Sequence, residues 1–223
     1  MHKTVQNLIN IQNLIKSKQS VLMNNEIIPK IIAVSKTFKI NHIIPLIEYG
    51  HIDYGENKVQ EAVEKWSQIK TNNNKIKLHL IGKLQTNKVK ISIKLFDFIH
   101  SLDNEKLARK ISEEQKKQNH KPKLFIQVNI GNETQKNGIH IQELFEFYNY
   151  CKKLDLNVIG LMCIPPINDD PEIFFSRMNY LKNKMNFKEL SMGMSSDYLI
   201  AIDFNSTYLR IGSQIFGQRE KKL

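Results

Sequence analysis

The strongest constraint on this 223-residue chain is a rhythm: short apolar runs recur along it, each followed by a stretch with helical periodicity. Strands are predicted at Ile31–Ser35, His51–Tyr54, Leu78–Ile81, Phe96–His100, Leu124–Asn129, Val158–Met162, Glu189–Met192 and Tyr208–Ile211. Between them, helices are predicted at Asn41–Tyr49, Lys58–Lys70, Asn87–Leu95, Glu105–Gln118, Ile141–Lys153 and Glu172–Met185, with a shorter one near Ser196–Ile202. Helix starts carry capping chemistry, as in Asp103-Asn104 before Glu105 and Asp170-Pro171 before Glu172. Strands separated by helices require a parallel sheet, and eight is the number that closes a (β/α)8 TIM barrel. An open doubly wound sheet is the alternative; it loses weight because no GxGxxG follows the first strand. No repeat or composition break divides the chain, so a single α/β barrel domain over 1–223 is expected. Residues 1–22 should form an additional N-terminal helix, with Val5, Leu8, Ile9, Ile11 and Ile15 on its apolar face.

Composition narrows the function classes. No apolar stretch is long enough to span a membrane, and the N-terminus lacks the pattern of a secretory signal. Cys151 and Cys163 lie in different segments with no paired-cysteine motif, and the seven histidines show neither HxH nor HExxH spacing. A reduced cytoplasmic protein without a metal centre is the simplest reading. The net charge of +11 invites a nucleic-acid role, yet only four of 33 basic residues are arginine. Lysine, asparagine and isoleucine are inflated together, as A+T-rich coding would produce, and no basic block alternates with aromatics. No nucleic-acid partner is expected.

The chemically unusual residues fall at predicted strand ends, which a parallel barrel gathers on one face. Lys36 follows the first apolar run with only Ser35 between. Partial burial there would lower the amine's pKa and make it a Schiff-base nucleophile; a lysine at a strand end can also be plain surface. Gly193-Met194-Ser195-Ser196 and Gly212-Ser213 follow the last two strands, where barrels bind phosphate through backbone N–H groups and hydroxyls. Ordinary turn residues would look the same. Arg210 sits inside the apolar run Tyr208–Ile211, either in a structural ion pair or aimed into the barrel mouth. A reactive lysine, a phosphate cradle and an arginine facing a heterocycle together point to pyridoxal 5′-phosphate (PLP). A permanent cation beside the pyridine nitrogen would make the cofactor a weak electron sink.

At these residues the chain resembles the pyridoxal-phosphate homeostasis family, related in fold to the barrel domain of alanine racemase. The resemblance rests on Ala33-Val34-Ser35-Lys36-Thr37, Tyr54-Gly55-Glu56-Asn57-Lys58, His79-Leu80-Ile81-Gly82 with Leu84–Lys88, Leu190–Ser195, Ser206-Thr207, Arg210–Ser213 and Phe216-Gly217-Gln218-Arg219. It implies Lys36 as the Schiff-base lysine, Ser195, Gly212 and Ser213 at the phosphate, Arg210 at the ring nitrogen, and Asn57 near the ring face. Lys136 matches a family lysine associated with a second or departing cofactor. Two departures stand out: Phe38 replaces a lysine common in relatives, and Asn205 replaces a glycine.

The resulting expectation is a cytoplasmic, monomeric PLP-binding protein of vitamin B6 homeostasis that buffers the cofactor or delivers it to apoenzymes, with no robust catalysis. A PLP-dependent amino-acid racemase or decarboxylase is the enzyme alternative. Alanine racemases draw a second base from an additional domain, for which 223 residues leave no room. A cofactor-free Schiff-base aldolase would share the barrel, the lysine and the phosphate loops.

Overall fold

The computed structural model describes residues 1–21 and 28–218. Residue 22 of the expected N-terminal helix and Arg219 of the last motif lie outside the described residues. Eight parallel strands close into a barrel in chain order: β1 (Lys30–Val34), β2 (Asp53–Glu56), β3 (Lys77–Leu80), β4 (Phe98–Leu102), β5 (Lys123–Gln127), β6 (Val158–Met162), β7 (Glu189–Met194) and β8 (Tyr208–Ile211). Closure comes from β1 pairing with β8, Ile31 against Leu209 and Ile32 against Arg210. The open-sheet alternative is thereby excluded.

The strands alternate between two environments, as the two-residue period of a pleated chain demands. On β1, Ile31 and Ala33 face the surrounding helices, while Ile32 and Val34 face the barrel interior with Phe98, Phe125, Met162 and Tyr208. Rings fill that interior: His79 stacks on Phe98 at 4.2 Å, and His100 on Phe125 at 4.3 Å. The helices α2 (Ile40–Glu48), α3 (Val59–Asn72), α4 (Val89–Leu95), α5 (Glu105–Gln118), α6 (Leu144–Lys153), α7 (Pro171–Lys184), α8 (Tyr198–Asp203) and α9 (Ser213–Phe216) follow their strands in turn. Asn104 caps α5 by accepting from the Leu107 N–H at 2.9 Å, and Asp170 caps α7 through the Glu172 N–H. Each such cap is worth about 1 kcal/mol.

α1 (Lys3–Val21) buries Val5, Leu8, Ile11 and Ile15, the stripe its sequence announces. At roughly 1.5–3 kcal/mol for each buried aliphatic side chain, these four residues suffice to dock the helix. The Asn7 side chain also donates to the Ile215 carbonyl at 2.9 Å, which ties α1 to α9.

Several boundaries differ from the sequence expectation. β2 runs to Glu56 instead of stopping at Tyr54, because Glu56 Oε1 is hydrogen-bonded in the interior by partners distant in sequence. β4 begins at Phe98, since Phe96 and Asp97 serve the preceding turn: the Phe96 N–H bonds Ser92 and the Asp97 carboxylate accepts from the Leu78 N–H. β5 ends at Gln127, and beyond it Val128 forms an isolated bridge to Ile139 and donates its N–H to the Met162 carbonyl. Among the described residues no helix is long and apolar enough to cross a membrane.

Candidate functional site

A cavity of about 510 Å³ opens at the C-terminal end of the barrel. Lys36, Asn57, Ser195, Arg210, Gly212 and Ser213 all line it, brought together from the ends of β1, β2, β7 and β8. Val34, Ile81, Ile164 and Met194 supply apolar walls. Among the described residues, two cations face this cavity and no carboxylate does. Such a lining suits an anion carried on an apolar body.

Lys36 is half-buried, two residues beyond β1, on a loop held by groups the sequence reading left unassigned. Glu56, wholly buried, accepts from Ser35 Oγ at 2.7 Å, from Trp66 Nε1 at 2.9 Å and from Lys65 Nζ at 2.9 Å. Lys65 also donates to the Ser35 carbonyl at 2.9 Å and pairs with Glu61 at 3.0 Å. Glu61 in turn accepts the Thr37 N–H. Burial pushes the Glu61 carboxyl up, but the Thr37 N–H and Lys65 outweigh it, and its pKa lies below the usual value. This clamp holds Thr37 at φ +70°, a left-handed conformation unfavourable for a β-branched residue. The sequence assigns Lys65 and Trp66 no part in this clamp, because an α3 residue gives no local sign that it reaches across to a strand end.

Arg210 is almost wholly buried and pairs with no carboxylate among the described residues. Instead it donates through Nη1 to the Ser191 carbonyl at 2.7 Å and to Ser191 Oγ at 2.8 Å. Through Nη2 it donates to the Cys163 carbonyl at 2.8 Å. The structural ion pair entertained for it is therefore not what the fold builds. Burial draws its pKa down from the guanidinium range. Three of its five N–H bonds are engaged in these contacts, which leaves Nε–H and one Nη2 hydrogen for a ligand in the cavity.

The two glycine–serine turns meet through the Gly212 N–H, which donates to Ser195 Oγ at 3.2 Å. Ser213 begins the one-turn α9, and Gln214 donates to the Ser195 carbonyl. Gly193 does not line the cavity: its φ of +89° and the proximity of Ala201, whose Cβ would lie 2.7 Å from a Cβ at 193, give it a packing role. Gly82 also has a steric reason, since a Cβ there would sit 2.3 Å from the Asn57 carbonyl oxygen. Asn205 adopts φ +60°, the left-handed backbone that a glycine would supply, so the replacement preserves the turn.

Other singled-out residues fall elsewhere. Lys136 pairs with Glu133 and donates to the Pro165 carbonyl at 3.1 Å, outside the cavity lined by Lys36. Phe38 lines the cavity and stacks on Phe216 at 5.1 Å. Cys151 and Cys163 are buried free thiols, each pushed up to about 12 by burial.

The family model of the alanine racemase N-terminal domain matches residues 7–220. A pyridoxal phosphate homeostasis protein of Aquifex aeolicus is 36% identical over 201 residues, covering 86% of this chain and 87% of that one. The chain belongs to the pyridoxal phosphate homeostasis protein family. PipY of Synechococcus elongatus, solved with PLP bound, matches with a TM-score of 0.78 and 30% identity over 91% of this chain and 100% of that one. The alanine racemase of Clostridium difficile has a TM-score of 0.75 over 99% of this chain and 58% of its own length. Its 16% identity establishes a common barrel and nothing further. Membership in the homeostasis family agrees with the motifs, which run through the chain in family order.

Proposed function

We propose that this chain binds PLP, holds it reversibly and covalently on the Lys36 amine, and serves intracellular PLP homeostasis. The observation that carries this reading is the convergence of one lysine, one arginine and two glycine–serine turns on a single cavity that no carboxylate of the described residues lines. The cofactor would bring an aldehyde that condenses with primary amines, releasing water. Ser195, Ser213 and the neighbouring backbone N–H groups would hold the phosphate. Arg210 would direct its remaining N–H bonds at the ring nitrogen, and Asn57 would flank the ring. The apolar walls exclude water from the rest of the ring.

Besides Lys36, the cavity is lined by no tyrosine, histidine, cysteine or carboxylate among the described residues. A racemase needs a second proton-transfer group on the opposite face of its substrate. This lining therefore favours a carrier over the racemase alternative. In the same reading the protein works in the cytoplasm as a monomer and passes PLP to apoenzymes that require it.

The test is the visible absorption of protein incubated with PLP, followed by borohydride reduction and peptide mapping. The reading expects a stoichiometric adduct on Lys36 and no visible band in Lys36→Ala. An adduct spread over surface lysines, with none at Lys36, would refute it. Sustained conversion of D- or L-amino acids would return the protein to the enzyme class.

A further inference from the structure

A continuous line of buried polar side chains crosses the barrel interior from the start of β2 to the cavity. Its links are Asp53 Oδ1 to His79 Nε2 at 3.0 Å, His79 Nδ1 to His100 Nε2 at 3.0 Å and His100 Nδ1 to Ser191 Oγ at 2.9 Å. Ser191 Oγ then meets Arg210 Nη1 at 2.8 Å. His79, His100 and Ser191 are wholly buried, and Asp53 and Arg210 nearly so.

The Asp53 end of this line fixes its direction when both rings are neutral. A carboxylate only accepts and a guanidinium only donates. His79 therefore carries its proton on Nε2 for Asp53 and turns the Nδ1 lone pair to His100. His100 must carry its own proton on Nε2, which leaves its Nδ1 to accept the Ser191 hydroxyl proton. That orientation leaves Ser191 Oγ free to accept from Arg210. Only this one pair of neutral ring tautomers satisfies every link; a proton added to His79 Nδ1 would set it against the His100 Nε2–H.

We propose that Asp53, His79, His100 and Ser191 are positioning residues for Arg210, so that preference for a ligand ring nitrogen in the cavity depends on a carboxylate at the far end of the barrel. The proposal rests on the PLP reading for the identity of that ring, while the directed chain itself does not. With both Nη1 hydrogens held on Ser191 and one Nη2 hydrogen on Cys163, the guanidinium plane cannot turn. Its remaining N–H bonds then point to one place. Loss of the terminal acceptor frees His79 to take the other tautomer and His100 to follow, so that Ser191 Oγ must accept from His100 as well as from Arg210 and no longer donates along the chain.

Two measurements test this. Long-range proton–nitrogen NMR on ligand-free protein should show His79 and His100 as neutral Nε2–H tautomers. A Nδ1–H tautomer or a protonated ring at pH 7.5 in either residue would overturn the chain. The second compares PLP with its carbocyclic analogue, the same phosphate-bearing hydroxybenzaldehyde with carbon in place of the ring nitrogen. Asp53→Ala should lower affinity for PLP about ten-fold while leaving the analogue within about two-fold of wild type. Asp53→Asn, whose side-chain carbonyl can still accept from His79, should restore PLP affinity. Equal weakening for both probes would reduce the chain to a structural role and overturn the proposal. Failure of the wild-type protein to bind PLP would instead sink the cofactor reading and the ring-nitrogen role with it, leaving the tautomer result to judge the chain.

Discussion

Acidification should destabilise this protein well before its carboxylates titrate. His79 and His100 are completely buried, and burial holds both below the ordinary imidazole range. The hydrogen bond and charge of Asp53 draw His79 part of the way back, whereas His79 and Arg210 push His100 lower still. In the unfolded chain both rings take up protons below about pH 6.5. In the fold they do not, until the pH reaches their lower folded values. Stability is therefore fully present above about pH 6.5 and is lost as the pH falls from there towards those folded values. Each ring contributes at most about 1.36 kcal/mol per pH unit in that window, so the pair contributes up to about 2.7 per pH unit. His51, also lowered chiefly by burial, acts in the same direction. Urea unfolding at pH 7.5, 6.5 and 5.5 should show about 2–3 kcal/mol lost across the series with an unchanged m value. That is a sizeable fraction of a typical stability of about 5–15 kcal/mol. In His100→Asn the slope below pH 6.5 should fall by roughly a third to a half. A loss under about 1 kcal/mol in the wild type, or an undiminished slope in the variant, would refute the reasoning.

Further expectations concern the loop and the turns. Lys65→Met leaves Glu56 buried without its cation and should cost about 3 kcal/mol, or roughly 6–12 °C in Tm by calorimetry. The same variant should slow borohydride-trapped adduct formation at Lys36, because the Ser35 carbonyl loses its Lys65 anchor. Gly82→Ala drives a Cβ against the Asn57 carbonyl and should destabilise by about 1–3 kcal/mol in urea, with weaker PLP binding by titration. Asn205→Gly should change stability by less than about 1 kcal/mol, whereas Asn205→Val should cost more, because only the former tolerates φ +60° without strain. Glu61→Gln should flatten the stability profile at acid pH. The lowered pKa of Glu61 gives stability that is present above the usual carboxylate value and lost as the pH falls through the folded one.

Much of the cavity was legible in the sequence, because a parallel barrel collects every strand's C-terminal end on one face. Lys36, Ser195, Gly212 and Ser213 could be nominated from their place after apolar runs, Arg210 from its place inside one and Asn57 from the family resemblance, and all six line that cavity. The clamp around Lys36 was not legible. Lys65 reads as one of many helix lysines until α3 is docked beside β1 and β2. Gly193 looked like an anion-binding glycine, and only the packing of α8 shows what its missing side chain makes room for.

Local chemistry in the sequence determined the period of the elements, the caps of α5 and α7, the apolar stripe of α1 and the identity of the groups at each strand end. These depend on neighbours within a few residues, which a linear reading can see. The tertiary structure alone decided the closure of β1 on β8, the registers that set β2 and β4 two residues off expectation, and the polar line through the barrel. His100 meets Ser191 across 91 positions of chain. No periodicity encodes such a contact, because it exists only once closure has turned those two strands toward the same axis.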